Sequence, residues 1–288
     1  MSAPVEVSVA IPVLNGARWL DGVLSAVRRQ TVEAELVVAD SGSSDASAAI
    51  ARRHGARVVE VAHFSHGGTR NLLMHETAGA HVAFLTQDAE PAHPGWLRAL
   101  LDAMGAAKDV ALAFGPERPR PGADPVAARI VEDWYARMVP LVRAEGRRPD
   151  TGPDWFFTSV NGCVARRAWE AVPFREIPYA EDRALAADLM SAGWARAFAP
   201  EASVLHSHDY TAVELLRRAF DEGRALREIY GHRAPVHPRT LGREIRREHA
   251  HDGAVVHHAA RALGAALGAR SERLPNRVRA ALSLERRH

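Results

Sequence analysis

The sequence predicts an α/β protein with a mostly parallel, doubly wound sheet flanked by helices. Three observations predict it. Short β-branched runs recur through the first 115 residues, helical patterns separate them, and the connections are short. Val5 to Val13 (VEVSVAIPV) is the first strand, ended by Asn15-Gly16. Ala17 to Arg29 places Trp19, Leu20, Val23, Leu24 and Val27 on one stripe, the period of a helix. Glu35 to Asp40 (ELVVAD) is a second buried strand, followed by a Gly/Ser loop and a helix over 45–54. Arg57 to Val61 is a third strand. Gly67-Gly68-Thr69 precedes a helix from Arg70 to Thr77, and His81 to Thr86 (HVAFLT) is a fourth strand with Gln87-Asp88 at its end. A helix over 95–104 and a fifth strand, Val110 to Phe114, complete the alternation.

Beyond residue 115 the pattern changes. Residues 116–126 (PERPRPGADPV) are Pro-rich and read as a surface excursion. Ala127 to Val142 reads as a helix with Ile130, Trp134, Met138 and Leu141 inward, and 144–154 as a loop. Trp155 to Ala165 reads as a strand, with a short helix near Trp169. Glu181 to Ala192 is an amphipathic helix burying Leu185, Leu189 and Met190. Ser203 to His206 is a short strand, Ala212 to Tyr230 a long helix, and 240–268 is helical. The expected division is 1–211, with halves 1–115 and 116–211, and a basic helical C-terminal extension over 212–288.

Composition narrows the function classes. The 288 residues are 47% apolar, which excludes wholesale disorder, and the single Cys163 excludes a disulfide framework or a Cys-based zinc site. No apolar run approaches the roughly 20 residues of a membrane span, and the N-terminus has no basic region before an apolar core. The expected compartment is the cytoplasm. Residues 1–200 hold 21 basic and 24 acidic side chains; residues 201–288 hold 16 and 11. The tail lacks dense basic runs with interleaved aromatics, so nucleic acid is not the expected partner. Its Arg-rich helices are candidates for peripheral contact with an anionic membrane face, or for self-association as a homodimer.

Ligands of doubly wound sheets bind outside the carboxyl ends of the strands, which points at Asn15, 40–44 and 86–88. Asp88 ends a buried strand, where a carboxylate needs a cation or donors; a turn aspartate is an equal explanation. Asp40 suits a base or ribose, though an Asx-turn is common at such a position. Gly67-Gly68 lacks the spacing of a phosphate loop. Arg70 in a first helical turn opposes the dipole and hints at an anion, against the ordinary reading of a solvated arginine. Glu181-Asp182 at a helix start complements the dipole, and its sharper reading is a general base. His206 and His208 are candidate ligands among 15 histidines, most of which must be incidental.

These segments together resemble family-2 glycosyltransferases of the GT-A fold, a Rossmann-like architecture, from about Val5 to Tyr210. The resemblance rests on Ile11-Pro12-Val13-Leu14-Asn15, on Val38 through Asp45 (VADSGSSD), on Arg70-Asn71 and on Phe84 through Ala89 (FLTQDA). It continues with Asn161-Gly162 before Arg166-Arg167, and with Glu181-Asp182 followed by Ser191-Ala192-Gly193-Trp194. Thr86-Gln87-Asp88-Ala89 and His206 through Thr211 look most like the rhamnosyltransferase-like branch. The resemblance implies that Pro12, Leu14, Asn15, Asp40, Ser41, Arg70, Gln87 and Asp88 line a nucleotide pocket. It implies that Asp88 and His206 hold a divalent cation, Mg²⁺ or Mn²⁺, with His208 the lesser choice. Asp182 would be the catalytic base and Glu181 its neighbour near donor sugar or acceptor.

One departure matters: the usual Asp-x-Asp is Thr86-Gln87-Asp88, so the first acid is missing. Mg²⁺ keeps waters and phosphate ligands, so one protein carboxylate suffices physically. The implied activity is inverting transfer of a sugar from a nucleoside-diphosphate donor to the hydroxyl of a glycan or lipid-linked glycan. The alternatives are a sugar-phosphate nucleotidyltransferase, for which Asn15-Gly16-Ala17-Arg18 is a poor first loop, and a catalytically weak nucleotide-sugar-binding protein.

Overall fold

The computed structural model describes residues 5–145, 156–208, 210–231 and 254–285, with the side chains of 137–145 and 254 left aside. The expected 240–253 helical stretch, Asp209, most of the 144–154 loop and the Met138 and Leu141 side chains lie outside the described residues.

The strands are β1 (Val7–Val13), β2 (Glu35–Asp40), β3 (Arg57–Glu60), β4 (His81–Leu85), β5 (Glu90–Pro91), β6 (Val110–Phe114), β7 (Glu117–Arg118), β8 (Asn161–Ala165), β9 (Ala195–Phe198) and β10 (Val204–Leu205). The helices are α1 (Ala17–Arg28), α2 (Ser47–Arg53), α3 (His66–Glu76), α4 (Trp96–Met104), α5 (Pro125–Glu145), α6 (Arg166–Ala171), α7 (Glu181–Ser191), α8 (Ala212–Tyr230), α9 (Ala254–Gly268) and α10 (Asn276–Leu282).

The chain forms two compact units. The first comprises 1–120, 131–177 and 181–206; the second comprises 121–130, 178–180 and 207–288. In the first, seven strands run in the order β3-β2-β1-β4-β8-β6-β9. Only β8 is reversed, pairing antiparallel with β4 and β6. The sheet is buried on both faces, as its near-continuous apolar strands require. Val9, Ala10, Ile11, Phe84, Leu85 and Phe114 are fully enclosed, and Trp96 of α4 is too.

The strand order reverses direction between β1 and β4, the topological switch point where such sheets open a crevice. Pro12 sits at that point. The β1–β4 ladder ends at Ala10 opposite Phe84, short of Pro12, which has no N–H to donate. The β1–β2 ladder continues to Val13 opposite Asp40. The carboxyl ends of β1 and β4 therefore part.

Four expectations are corrected. The Pro-rich 116–126 stretch is not all loop. Its Glu117–Arg118 pairs with β10, and β10 pairs with β5, in a second small sheet of order β5-β10-β7. The helix expected from Arg70 starts at His66, because Ser65 caps it by accepting from Gly68 N. Arg70 is thus in the second turn, where the dipole argument lapses. In α5, Trp134 faces solvent at 42% exposure and Tyr135 is the buried aromatic. The strand expected over 155–165 starts only at Asn161.

In the second unit, Thr211 and Glu214 form a capping box on α8, and Gly231 ends it in the left-handed conformation. Buried Asp221 accepts from Ser283 Oγ at 2.8 Å and Leu284 N at 2.7 Å, fixing the chain beyond α10.

Candidate functional site

The loops after β1 and β2 are locked by short polar side chains. Asn15 adopts a left-handed φ of 50°. Its Oδ1 accepts from Ser44 N at 2.8 Å, and its own N–H donates to Ser43 Oγ at 2.9 Å. Asp40 accepts from Ser43 Oγ at 2.5 Å, closing an Asx-type turn. Asp45 accepts from Ala17 N and Ser47 Oγ, and Ser47 Oγ accepts from Gly16 N. Asp40, Ser41 and Asn15 thus share one polar rim at the ends of adjacent strands. Ser41 Oγ is buried with no partner among the described residues.

Gln87 spans the parted ends of β1 and β4. Its Oε1 accepts from Leu14 N at 2.9 Å and its Nε2 donates to Leu14 O at 3.2 Å. Its amide is a strap between two loops, and the first loop is placed by it. Thr86, where a second acid would stand, buries a hydroxyl Oγ1 that has no partner among the described residues.

Asp88 and His206 meet beyond the end of β4. His206 Nε2 lies 3.5 Å from Asp88 Oδ1. Two ligand atoms about 2.1 Å from one cation stand roughly 3–3.5 Å apart at octahedral or tetrahedral angles, so the spacing fits a shared ion. A carboxylate oxygen and an imidazole nitrogen suit Mn²⁺, and Mg²⁺ with waters. Asp88 and His206 belong to a cluster of one aspartate and two histidines, His208 the third, whose ligand atoms lie within 4.8 Å of one another. His206 Nδ1 lies 2.7 Å from Glu117 Oε2. Burial disfavours the charged ring, but hydrogen bonds to Asp88 and Glu117 and the charges of both push its pKa up to about 9. His208, two residues on, is exposed and stacks on Tyr210 at 5.0 Å.

Arg70 and Glu181 form a buried ion pair, Nε to Oε1 at 2.7 Å, with side chains 7% and 6% exposed. The guanidinium lies 5.7 Å from the Phe84 ring of β4. Asp182 points elsewhere. Its Oδ2 accepts from Ser159 N at 3.0 Å and Ser159 Oγ at 3.3 Å, and its Oδ1 accepts from Arg183 N. Ser159 precedes β8, whose Asn161 pairs with Leu85, and Thr86 N donates to Val160 O. The Asp182 carboxylate is therefore tied to the edge where β4 ends.

The Gly67-Gly68 pair has a packing reason. A Cβ at Gly67 would lie 2.0 Å from the Arg175 carbonyl oxygen. The α3 N-terminus abuts that backbone, and Asn71 reinforces it by donating to Phe174 O and accepting from Phe174 N.

Sequence reasoning missed Glu117, Tyr135, Ser159 and Arg120. Arg120 donates to Asp88 O at 2.5 Å and stands 4.3 Å from the Trp19 ring centre. For Glu117 and Arg120 the only signal was charge inside a Pro-rich run, which also reads as surface; Tyr135 and Ser159 carried no signal.

The glycosyl transferase family 2 domain model matches residues 8–162. The chain is 32% identical over 227 residues to the O-antigen chain rhamnosyltransferase RfbN of Salmonella typhimurium strain LT2, covering 76% of this chain and 72% of that protein. It is 31% identical over 225 residues to the O-antigen chain rhamnosyltransferase WbaN of Salmonella anatum, covering 75% and 70%. Among solved structures, the mannosyltransferase PcManGT of Pyrobaculum calidifontis, in complex with GDP-Man and Mn²⁺, superposes with a TM-score of 0.62 at 19% identity. That match covers 98% of this chain and 79% of that one, and the likeness is one of fold.

Proposed function

The chain belongs to glycosyl transferase family 2, and on that premise we propose that it is a metal-dependent, inverting rhamnosyltransferase of polysaccharide assembly. It is a glycosyltransferase of GT-A fold using a nucleotide-sugar donor, which sets the nucleotidyltransferase alternative aside. The names of its Salmonella relatives support a nucleoside-diphosphate-rhamnose donor and an O-antigen-type glycan, free or lipid-linked, as acceptor. The observation that carries the reading is that the Asp88–His206 pair and Asp182 are both tied to the edge where β4 ends. Residues 1–211 are assigned as the catalytic part and 212–288 as the extension.

Pro12, Leu14, Asn15, Asp40 and Ser41 would line the base and ribose side, with Gln87 holding the first loop in place. Asp88 and His206 would hold Mg²⁺ or Mn²⁺, with His208 the alternative histidine; bound there, the cation offsets charge on the departing diphosphate. Asp182, oriented by Ser159, takes the proton of the acceptor hydroxyl. The acceptor oxygen then bonds to the anomeric carbon as the bond to the diphosphate oxygen breaks, and that electron pair leaves with the nucleoside diphosphate. One displacement inverts the anomeric centre. Arg70, its charge balanced by Glu181, would offer guanidinium hydrogen-bond donors to the departing diphosphate.

The test is Asp182→Asn assayed with nucleotide-rhamnose donors. Transfer should fall about 10²–10⁴-fold, the usual contribution of a general base, with donor binding near wild type by thermal shift. Normal transfer by that variant overturns the base assignment. The anomeric proton coupling of the product reports inversion or retention.

A further inference from the structure

Resting on the metal-site reading above, we infer that Glu117, braced by Tyr135, is the positioning residue that presents the His206 ring to a divalent cation. Three elements distant in sequence build this arrangement. β7 and β10 pair in parallel, Val204 opposite Glu117. His206 N donates to Arg118 O at 2.8 Å, and Val204 N donates to Pro116 O at 3.1 Å. That ladder sets the His206 backbone beside Glu117. The Glu117 carboxylate then bridges two buried groups. Oε2 lies 2.7 Å from His206 Nδ1, and Oε1 accepts from Tyr135 Oη at 2.9 Å. Tyr135 is 6% exposed and His206 7%, so water does not readily compete for either bond.

The chemistry follows from the roles of the two ring nitrogens. Both ring nitrogens face carboxylates, which accept only; a cation binds after one proton leaves, and the shorter contact, 2.7 Å to Glu117 against 3.5 Å to Asp88, makes Nδ1 the nitrogen that keeps its proton. The Nε2 lone pair is then the one available to a cation, and Nε2 is the atom 3.5 Å from Asp88. The opposite tautomer would turn an N–H toward Asp88 and bind no metal. Tyr135 donates to the far oxygen of Glu117 and so fixes the carboxylate plane. Burial raises the Tyr135 pKa, aided by the charge of Glu117, which keeps the phenol protonated as a donor. A carboxylate behind a ligating histidine holds the ring and increases its basicity, and such outer partners typically contribute 10–100-fold in metal affinity.

The experiment titrates Mn²⁺ alone into the full chain and reads free Mn²⁺ by electron paramagnetic resonance. Glu117→Gln should weaken Mn²⁺ binding about 10–100-fold, because an amide offers one acceptor to two donors. Tyr135→Phe should weaken it in the same direction by less. His206→Ala combined with Glu117→Gln should bind no more weakly than His206→Ala alone, because Glu117 acts through the ring. Wild-type affinity in Glu117→Gln, or full additivity in the double variant, overturns the inference. Should Glu117→Gln fail to fold, Tyr135→Phe decides, and unchanged affinity there overturns it. His206→Ala with wild-type Mn²⁺ affinity sinks the metal-site reading itself, and this inference with it.

Discussion

Glu181 and Asp182 adjoin in the chain, yet their carboxylates serve different partners. Glu181 is buried against Arg70, and Asp182 is partly exposed and held by Ser159. Removing one member of a buried pair strands the other charge, at a cost of about 3–5 kcal/mol. Glu181→Ala should therefore lower unfolding stability by that amount, while Asp182→Asn loses about 1 kcal/mol. The paired change Arg70→Met with Glu181→Leu should recover most of the loss. Equal costs for the two single variants in urea denaturation would contradict this division of labour. Two titrating groups give a pH signature. The His206 pKa is raised to about 9, so its contribution is complete below about pH 6.5 and is lost as pH rises through 9. The metal-free protein should lose roughly 3 kcal/mol over that window, and His206→Gln should flatten the profile. Burial pushes the Cys163 thiol up to about 12. The unfolded chain ionises it first, so a further loss begins near pH 9, and the native thiol should resist alkylation at pH 8 until denaturant is added.

At the scale of elements, the glycine pair at the start of α3 separates packing from ligand binding. An alanine at 67 overlaps the Arg175 carbonyl, and overpacking of this kind costs about 1–3 kcal/mol. Gly67→Ala should lower the melting temperature and leave donor affinity of the folded fraction near wild type. A phosphate-binding loop would give the reverse. Most of the larger sheet was legible in the sequence: β2 and β6 begin and end where the β-branched runs do, and α8 follows its capping residue Thr211. Of the small sheet only β10 was legible, inside the short strand read over Ser203 to His206; β5 and β7 were not. Two-residue strands carry no period, and β7 sits in a Pro-rich run whose composition favours turns. The start of α3 was misplaced for a related reason: glycines in a first turn read as a loop until the facing backbone is seen.

At the scale of the whole molecule, donor binding and the basic extension give separate readouts. A nucleotide-rhamnose donor at about 100 times its Kd should stabilise the protein by about 2.7 kcal/mol, a melting shift of about 4–5 °C. Among the described residues no helix is long and apolar enough to cross a membrane. On α9, Val255, Val256 and Leu263 are each more than half exposed, and Arg273, Arg277 and Arg279 follow on nearby segments. If the extension rests on anionic lipid, the chain floats with phosphatidylglycerol vesicles at low salt, and Val256→Glu with Leu263→Glu reduces that flotation. No flotation at low salt would remove the membrane reading without touching the catalytic one. The sequence by itself determined the β–α alternation, the family and the acids and histidine worth watching, because periodicity and motif spacing are local properties written within ten or so residues. Tertiary structure alone decided which acid faces which partner. His206 and Glu117 stand 89 positions apart, and Arg70 and Glu181 stand 111. Whether such groups meet depends on the register of strands and the packing of helices that no local pattern records.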